Sequence, residues 1–103
     1  MPMYNLTNED KRCTVKLSGP LIVREVPELQ EALKGAINSG AMEIEFDFSN
    51  TTMLDSSGIG LLVATSNSLA QKKGTVRLIN VSVDIMKLLQ SMRLVGRLNA
   101  VGK

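Results

Sequence analysis

The sequence predicts an α/β fold, a mixed four-stranded sheet with helices packed mainly on one of its faces. Two changes of period carry this. Between Met42 and Ser49, apolar Met42, Ile44, Phe46 and Phe48 alternate with Glu43, Glu45 and Asp47. That is the period of two of a strand buried on one side. Farther on, Ile59, Leu62, Val63, Ser66, Leu69 and Ala70 fall at helical spacing, so the period lengthens to 3.6. The same alternation recurs on both sides of this pair and gives the order β-β-α-β-α-β-α. Strand–helix–strand units cross over right-handed, which sets their strands parallel in one sheet.

Taken in order, Met3 to Asn8 reads as a short edge strand on the strength of Tyr4 and Leu6, and Asn8-Glu9-Asp10-Lys11 as a turn. Arg12 to Ser18 is a clearer strand, with Cys13, Val15 and Leu17 facing one way, and the two form an antiparallel hairpin. Gly19-Pro20 ends it, and Leu21-Ile22-Val23-Arg24 follows as an exposed loop. Pro27 suits the first turn of a helix, where its missing N–H costs nothing. Val26, Leu29, Leu33, Ala36 and Ile37 mark that helix's apolar stripe, Gly35 weakens it and Asn38-Ser39-Gly40 stops it. After the central strand, the second helix runs to about Lys72 and Gly74 breaks it. Thr75 to Val81 is a strand with Val76 and Leu78 on one side. Ser82 caps a third helix with Asp84 in its first turn and the stripe Ile85, Leu88, Leu89 and Met92. The tail from Arg93 to Lys103 reads as a short strand or a frayed end around Leu94 and Leu98. The ladder Glu43, Glu45 and Asp47 is expected on a wet sheet face, serving solubility and edge protection.

Composition narrows the function classes. The length of 103 residues fits one domain, residues 1–103, and hydrophobic residues at 44% with charged residues at 21% are those of a soluble globular chain. Aromatics are 3% with no Trp, so the core rests on Leu, Ile, Val and Met, and a stacking platform for single-stranded nucleic acid is missing. One cysteine forbids an internal disulfide, and Cys13, alternating within a strand, reads as a small buried hydrophobe. The first residues carry no basic segment followed by an apolar run, and no apolar stretch nears the ~20 residues that span a bilayer. A cytoplasmic location without membrane insertion is the expectation. Residues 1–55 hold five Lys/Arg against nine Asp/Glu, a balance of −4, and residues 56–103 hold seven against one, a balance of +6. The cations are scattered over several elements, which predicts a solvated face and no nucleic-acid partner.

The chemistry gathers in the turn between the central strand and second helix, Asp55-Ser56-Ser57-Gly58. An acid and two hydroxyls stand where the first helical turn leaves N–H groups unpaired. Two readings of this turn stand side by side: a plain N-cap with a spare serine, and a regulatory serine. A phosphate there would add roughly −1.5 to −2 charges, which a helix N-terminus tolerates. An enzyme is not expected. The chain has no His, so no Ser–His or Cys–His pair and no His metal site can form. Asp55 beside Ser56 lacks a general base and an orienting third group. Gly58-Ile59-Gly60 has Val63 where a dinucleotide fingerprint needs its third glycine, and no phosphate-loop lysine follows. Neither cofactor nor metal is predicted.

Asp55-Ser56-Ser57-Gly58-Ile59-Gly60-Leu61-Leu62, preceded by Phe46-Asp47-Phe48-Ser49, resembles the STAS domain, and within it the small bacterial anti-sigma-factor antagonists. Val15 to Gly19 resembles the family's second strand, Val26-Pro27-Glu28-Leu29 its first-helix start, and Lys73 to Ser82 its last strand and helix cap; about residues 3 to 98 are covered. The resemblance implies that Ser56 is phosphorylated by a cognate anti-sigma factor that is itself a serine kinase of the histidine-kinase-like ATPase fold. It further implies that the unphosphorylated chain binds this kinase and that a PP2C-type phosphatase restores it. Asp55, Ser57, Gly58 and Ile59, with Leu21, Ile22 and Arg24 of the neighbouring loop, would then form the docking surface, Ser57 remaining the other candidate acceptor. Pro20-Leu21-Ile22 stands where family members commonly carry an acid, and many have a longer C-terminal helix. The second reading is a STAS subunit that scaffolds a larger complex, a stress-signalling assembly or a lipid-transport complex, with Ser56 only capping its helix.

Overall fold

The computed structural model describes residues 4–22, 24 and 26–103, so Met3 of the expected edge strand and Val23 of the loop lie outside the described residues. Its elements are β1 (Tyr4–Glu9), β2 (Arg12–Leu17), α1 (Val26–Asn38), β3 (Glu43–Asp47), α2 (Ser56–Ala70), β4 (Thr75–Val81), α3 (Val83–Ser91) and β5 (Ala100–Gly102). The strands lie in the order β1-β2-β3-β4-β5. β1 pairs antiparallel with β2, and every other pair is parallel. Because the order runs one way along the sheet, each right-handed crossover places its helix on the same face. That face holds the core: Val15 of β2, Ile44 and Phe46 of β3 and Leu78 of β4 are all fully buried, as are Leu29, Leu62 and Leu89 of the three helices.

The expected sheet of four strands has a fifth. Leu94 and Leu98 are buried at 8% and 0%, which draws the tail back against the core. Asn99, in the left-handed region at φ 50°, donates its side-chain amide to the Val76 carbonyl at 2.8 Å, and the chain then pairs along β4. Of the two readings of the tail, a short strand or a frayed end, the structure has the short strand, at Ala100–Gly102; three residues are too few to show a period that would have chosen between them. The edge-protection role given to Glu43, Glu45 and Asp47 also needs correction. β3 is the central strand, with Arg12↔Glu43 and Lys16↔Asp47 in register on one side and Glu45↔Arg77 on the other. The acids therefore alternate with cations across the uncovered face, and Arg12 reaches Glu43 at 3.0 Å. Lateral charge pairing of this kind contributes a few tenths of a kcal/mol per pair and fixes register.

All three helices stop in the same way. In α1, Gly40 at φ 109° lets Ala41 N–H reach Ala36 C=O and its own N–H reach Ile37 C=O, both at 3.0 Å. Lys73 at φ 63° ends α2 with the equivalent bonds, Gly74 N–H to Leu69 C=O and Lys73 N–H to Ala70 C=O, so the turn extends to Lys72 as expected. Arg93 at φ 57° ends α3, with Leu94 N–H on Leu89 C=O. This is the 6→1 and 5→2 pattern in which glycine is the cheapest residue at the left-handed position. Gly74 is required for a different reason: a Cβ there would lie 2.4 Å from the Met42 carbonyl oxygen. That close approach seats the start of β4 against β3 through Thr75 N–H to Met42 C=O.

Candidate functional site

The site is built at the carboxyl end of the central strand. As β3 ends, Phe48 N–H still bonds Ile79 C=O at 2.9 Å, keeping the chain against β4. The Asp47 carboxylate accepts from the Ser49 backbone N–H at 2.9 Å and from the Asn80 side-chain amide at 3.1 Å. Burial pushes the Asp47 carboxyl up. Hydrogen bonds from Asn80 and from the Ser49 amide and hydroxyl, with Lys16 nearby, outweigh this and hold it below the usual carboxylate value. Asn80 adopts φ 57° to present its amide, a conformation that costs a non-glycine residue on the order of 1 kcal/mol. The chain then turns at Ser49-Asn50, and Thr51 N–H bonds back to Phe48 C=O.

From Thr51 the loop passes under the segment that follows β2. Leu21 N–H bonds Met53 C=O at 3.0 Å, Asp55 N–H bonds Leu21 C=O at 3.3 Å, and Leu21 and Leu54 form a parallel bridge. Asp55, extended at φ −99°, caps α2 by accepting from Gly58 N–H at 2.9 Å. Gly58 is the contact point of the two segments. A Cβ on it would lie 2.5 Å from the Leu21 carbonyl oxygen and 2.7 Å from Leu54 Cδ1. Only a residue with no side chain lets the loop lie this close.

Each residue singled out from the sequence now has a place. The cap belongs to Asp55, so Ser56 is not needed for it: Ser56 is the first residue of α2, exposed, and its hydroxyl makes no hydrogen bond among the described residues. Ser57 and Ile22 are half-buried, and Arg24 is exposed. Leu21, expected in an exposed loop, is instead buried, because its backbone bridges Leu54; Gly58 and Ile59 are buried beside it. The exposed positions that continue from Ser56 along α2 are Gly60, Ala64 and Asn67, and no residue of this helix is charged. Arg97 donates to the Asn67 side chain, so the charge-free part of this face is Gly60 and Ala64, which a partner can approach without stripping water from an ion.

Sequence reasoning missed two features here. Met53, 58% exposed, places a flexible apolar side chain beside the turn, and a methionine between polar Thr52 and buried Leu54 leaves no signal of its exposure. The Asp47–Ser49–Asn80 network was also missed. Asp47 and Ser49, two residues apart at a strand end, are the local trace of such a turn, but Asn80 comes from another strand. Among the described residues no three His, Cys, Asp or Glu are grouped to hold a metal ion. Cys13 is buried in β2 and burial raises its thiol pKa, which makes it a packing residue. Among the described residues no helix is long and apolar enough to cross a membrane.

A family model described as "Mlab, STAS domain" matches residues 4–100. The anti-sigma-B factor antagonist of Staphylococcus aureus (strain NCTC 8325 / PS 47) is 36% identical over 84 residues, 82% of this chain and 78% of its own. The protein of the same description from Staphylococcus epidermidis is 35% identical over 74 residues, 72% of this chain and 68% of its own. Among solved structures, the Bacillus cell fate determinant SpoIIAA in its phosphorylated form superposes with a TM-score of 0.80 at 22% identity, covering 97% of this chain and 90% of that one. An anti-sigma factor antagonist from Mycobacterium paratuberculosis gives 0.82 at 18% identity, covering 97% and 85%. At these identities the two structures speak for the fold.

Proposed function

Because the chain belongs to the STAS domain family, we propose that residues 1–103 act as one such domain, a cytoplasmic anti-sigma-factor antagonist that works by partner switching. In its unphosphorylated form it binds a cognate anti-sigma factor, a serine kinase of the histidine-kinase-like ATPase fold, and so frees what that factor holds. Phosphorylation of Ser56 ends the interaction, and a PP2C-type phosphatase restores it. The observation that carries this reading is the exposed Ser56 hydroxyl, which makes no hydrogen bond among the described residues, in the first turn of a helix whose cap is supplied by the neighbouring Asp55.

The arrangement suits a switch that leaves the fold intact. Modifying Ser56 removes no hydrogen bond among the described residues, so the phosphate costs the fold little. It also sits at the positive end of α2, which holds no acid in its first turn. The effect falls on the docked state. Met53, half-buried Ile22 and the Gly60 and Ala64 positions of α2 offer uncharged surface on the segments that meet at Ser56, which a partner can bury cheaply. A phosphate dianion placed in that interface, next to the Asp55 carboxylate, costs several kcal/mol unless the partner pairs it.

The test is intact mass after incubation with the cognate kinase and ATP, followed by peptide mapping. One phosphate is expected on Ser56. Ser56→Ala is expected to bind the kinase and resist modification, and Ser56→Asp to bind at least tenfold more weakly. Equal binding by wild type and Ser56→Asp, with no phosphate gained from an active kinase, would replace the switch with the scaffold reading.

A further inference from the structure

A second surface lies along the β5 edge, at the same carboxyl end of the parallel strands as the Ser56 turn. α3 crosses the end of β4 and leaves a groove of about 390 Å³ between its outer side and β5. Val81, Val83 and Met86 supply its apolar wall, and Gly102 of β5 also lines it. Val83 is 69% exposed although it opens a helix whose other stripe, Ile85 and Leu89, is in the core. Lys87 and Lys103 flank this wall, and among the described residues no acidic side chain lines it. Lys87 makes no hydrogen bond or ion pair among the described residues, and Lys103 holds only the Ser49 carbonyl at 3.4 Å. β5 ends the strand order, so its outer edge has no strand partner among the described residues.

From these observations we infer that the β5–α3 edge is a second docking surface, and that its partner is an extended protein segment carrying an apolar side chain flanked by carboxylates. An extended segment adds to an open strand edge through its backbone and places alternate side chains on one face of the sheet. Ala100 is buried toward the helices and Gly102, two residues on, shares that face. Side chains of an added strand on the same face would therefore enter the groove beside Val83 and Met86. The charge of this half of the chain selects their neighbours: from Ser56 to Lys103 there are seven Lys/Arg and one acid, Asp84. Neutralising Lys87 and Lys103 calls for carboxylates on either side of the apolar residue. Nucleic acid fits less well, since the groove wall is aliphatic and its lining among the described residues holds no aromatic side chain on which a base could stack.

The test is an amide-resolved NMR titration of the full chain with a capped synthetic peptide, Glu-Val-Glu-Leu-Glu, and with its Lys-Val-Lys-Leu-Lys counterpart. The acidic peptide is expected to shift Val83, Met86, Lys87, Gly102 and Lys103 while leaving Ser56 to Gly58 unmoved, and the basic peptide to shift none of them. Exposed ion pairs are each worth roughly a few-fold in affinity, so the double variant Lys87→Glu, Lys103→Glu should bind the acidic peptide about tenfold more weakly. Its thermal midpoint should match wild type, since both side chains are exposed. Shifts at the Ser56 turn in place of the groove would overturn the assignment without touching the switch. So would tighter binding of a single-stranded oligonucleotide than of the peptide, or groove shifts that track protein concentration alone, which would make the occupant a second copy.

Discussion

Substituting two glycines of the same helix should change stability in opposite directions. Gly58 and Gly60 both lie in α2, and alanine at either relieves the conformational freedom that glycine brings to the unfolded chain, worth about 1 kcal/mol in a helix. At Gly60 a Cβ meets nothing within 4 Å, so Gly60→Ala should keep that gain and raise the thermal midpoint by roughly 4–8 °C. At Gly58 the Cβ would stand 2.5 Å from the Leu21 carbonyl oxygen, where ordinary contact begins at 3.4 Å. Backbone must therefore move by nearly 1 Å, and the carbonyl that moves is the one accepting from Asp55 N–H at an already long 3.3 Å. Overpacking costs about 1–3 kcal/mol and the lost hydrogen bond about 1 more, against about 1 regained from helix propensity. The net for Gly58→Ala is a loss of about 2 kcal/mol, roughly 8–16 °C in midpoint. Urea and thermal unfolding of both variants against wild type measure this directly. A Gly58→Ala chain as stable as Gly60→Ala would refute the close approach of loop and helix on which the site's geometry depends. Partner binding supplies a second readout, because displacing Leu21 also displaces Ile22 beside Ser56.

Other perturbations test the surroundings of the site. Asp47 is held below its usual pKa in the folded chain, so its charge contributes stability that is fully present above the ordinary aspartate value of 3.8 and is lost as pH falls through the lower folded value. Asp47→Asn should accordingly show a smaller fall in urea midpoint than wild type between about pH 5 and pH 2; an unchanged slope would remove Asp47 from the acid response. Lys73 and Arg93 each occupy a left-handed position that glycine fills at lower cost, so Lys73→Gly and Arg93→Gly should each stabilise by about 1 kcal/mol. Thermal melts at neutral pH would show it, and a loss of stability at either would mean that its side chain contributes more than the strain it carries.

The class of the fold was legible because each element carries its own period and its own punctuation. Alternation from Met42 to Ser49 and the i, i+3, i+4 stripes of α1 and α3 follow from which side of each element meets the core, and a single-faced sheet makes that pattern clean. The Ser82 cap was readable for the same reason: the side chain and the Ile85 N–H it serves, 3.2 Å away, are three residues apart. The turn at Asp55 stood out as the one place where hydroxyls, an acid and a glycine meet between a strand and a helix. Which of them caps was open, since Asp and Ser both can, and the backbone of Asp55 decided it.

Tertiary structure decided whatever depends on residues far apart in the chain. That β3 is central, and that its acids face cations on two neighbouring strands, follows from strand order, which periodicity within one strand does not encode. That Gly58 is indispensable and Gly60 is not depends on Leu21, which lies 37 residues before Gly58 and is brought there by the crossover through α1. β5 exists because Leu98 has a place in the core and Asn99 a carbonyl to meet on β4; three residues alone specify no strand. Local hydrogen bonding and side-chain periodicity are properties of short segments and are therefore written in the order of residues. Packing is a property of pairs that only the folded chain makes neighbours.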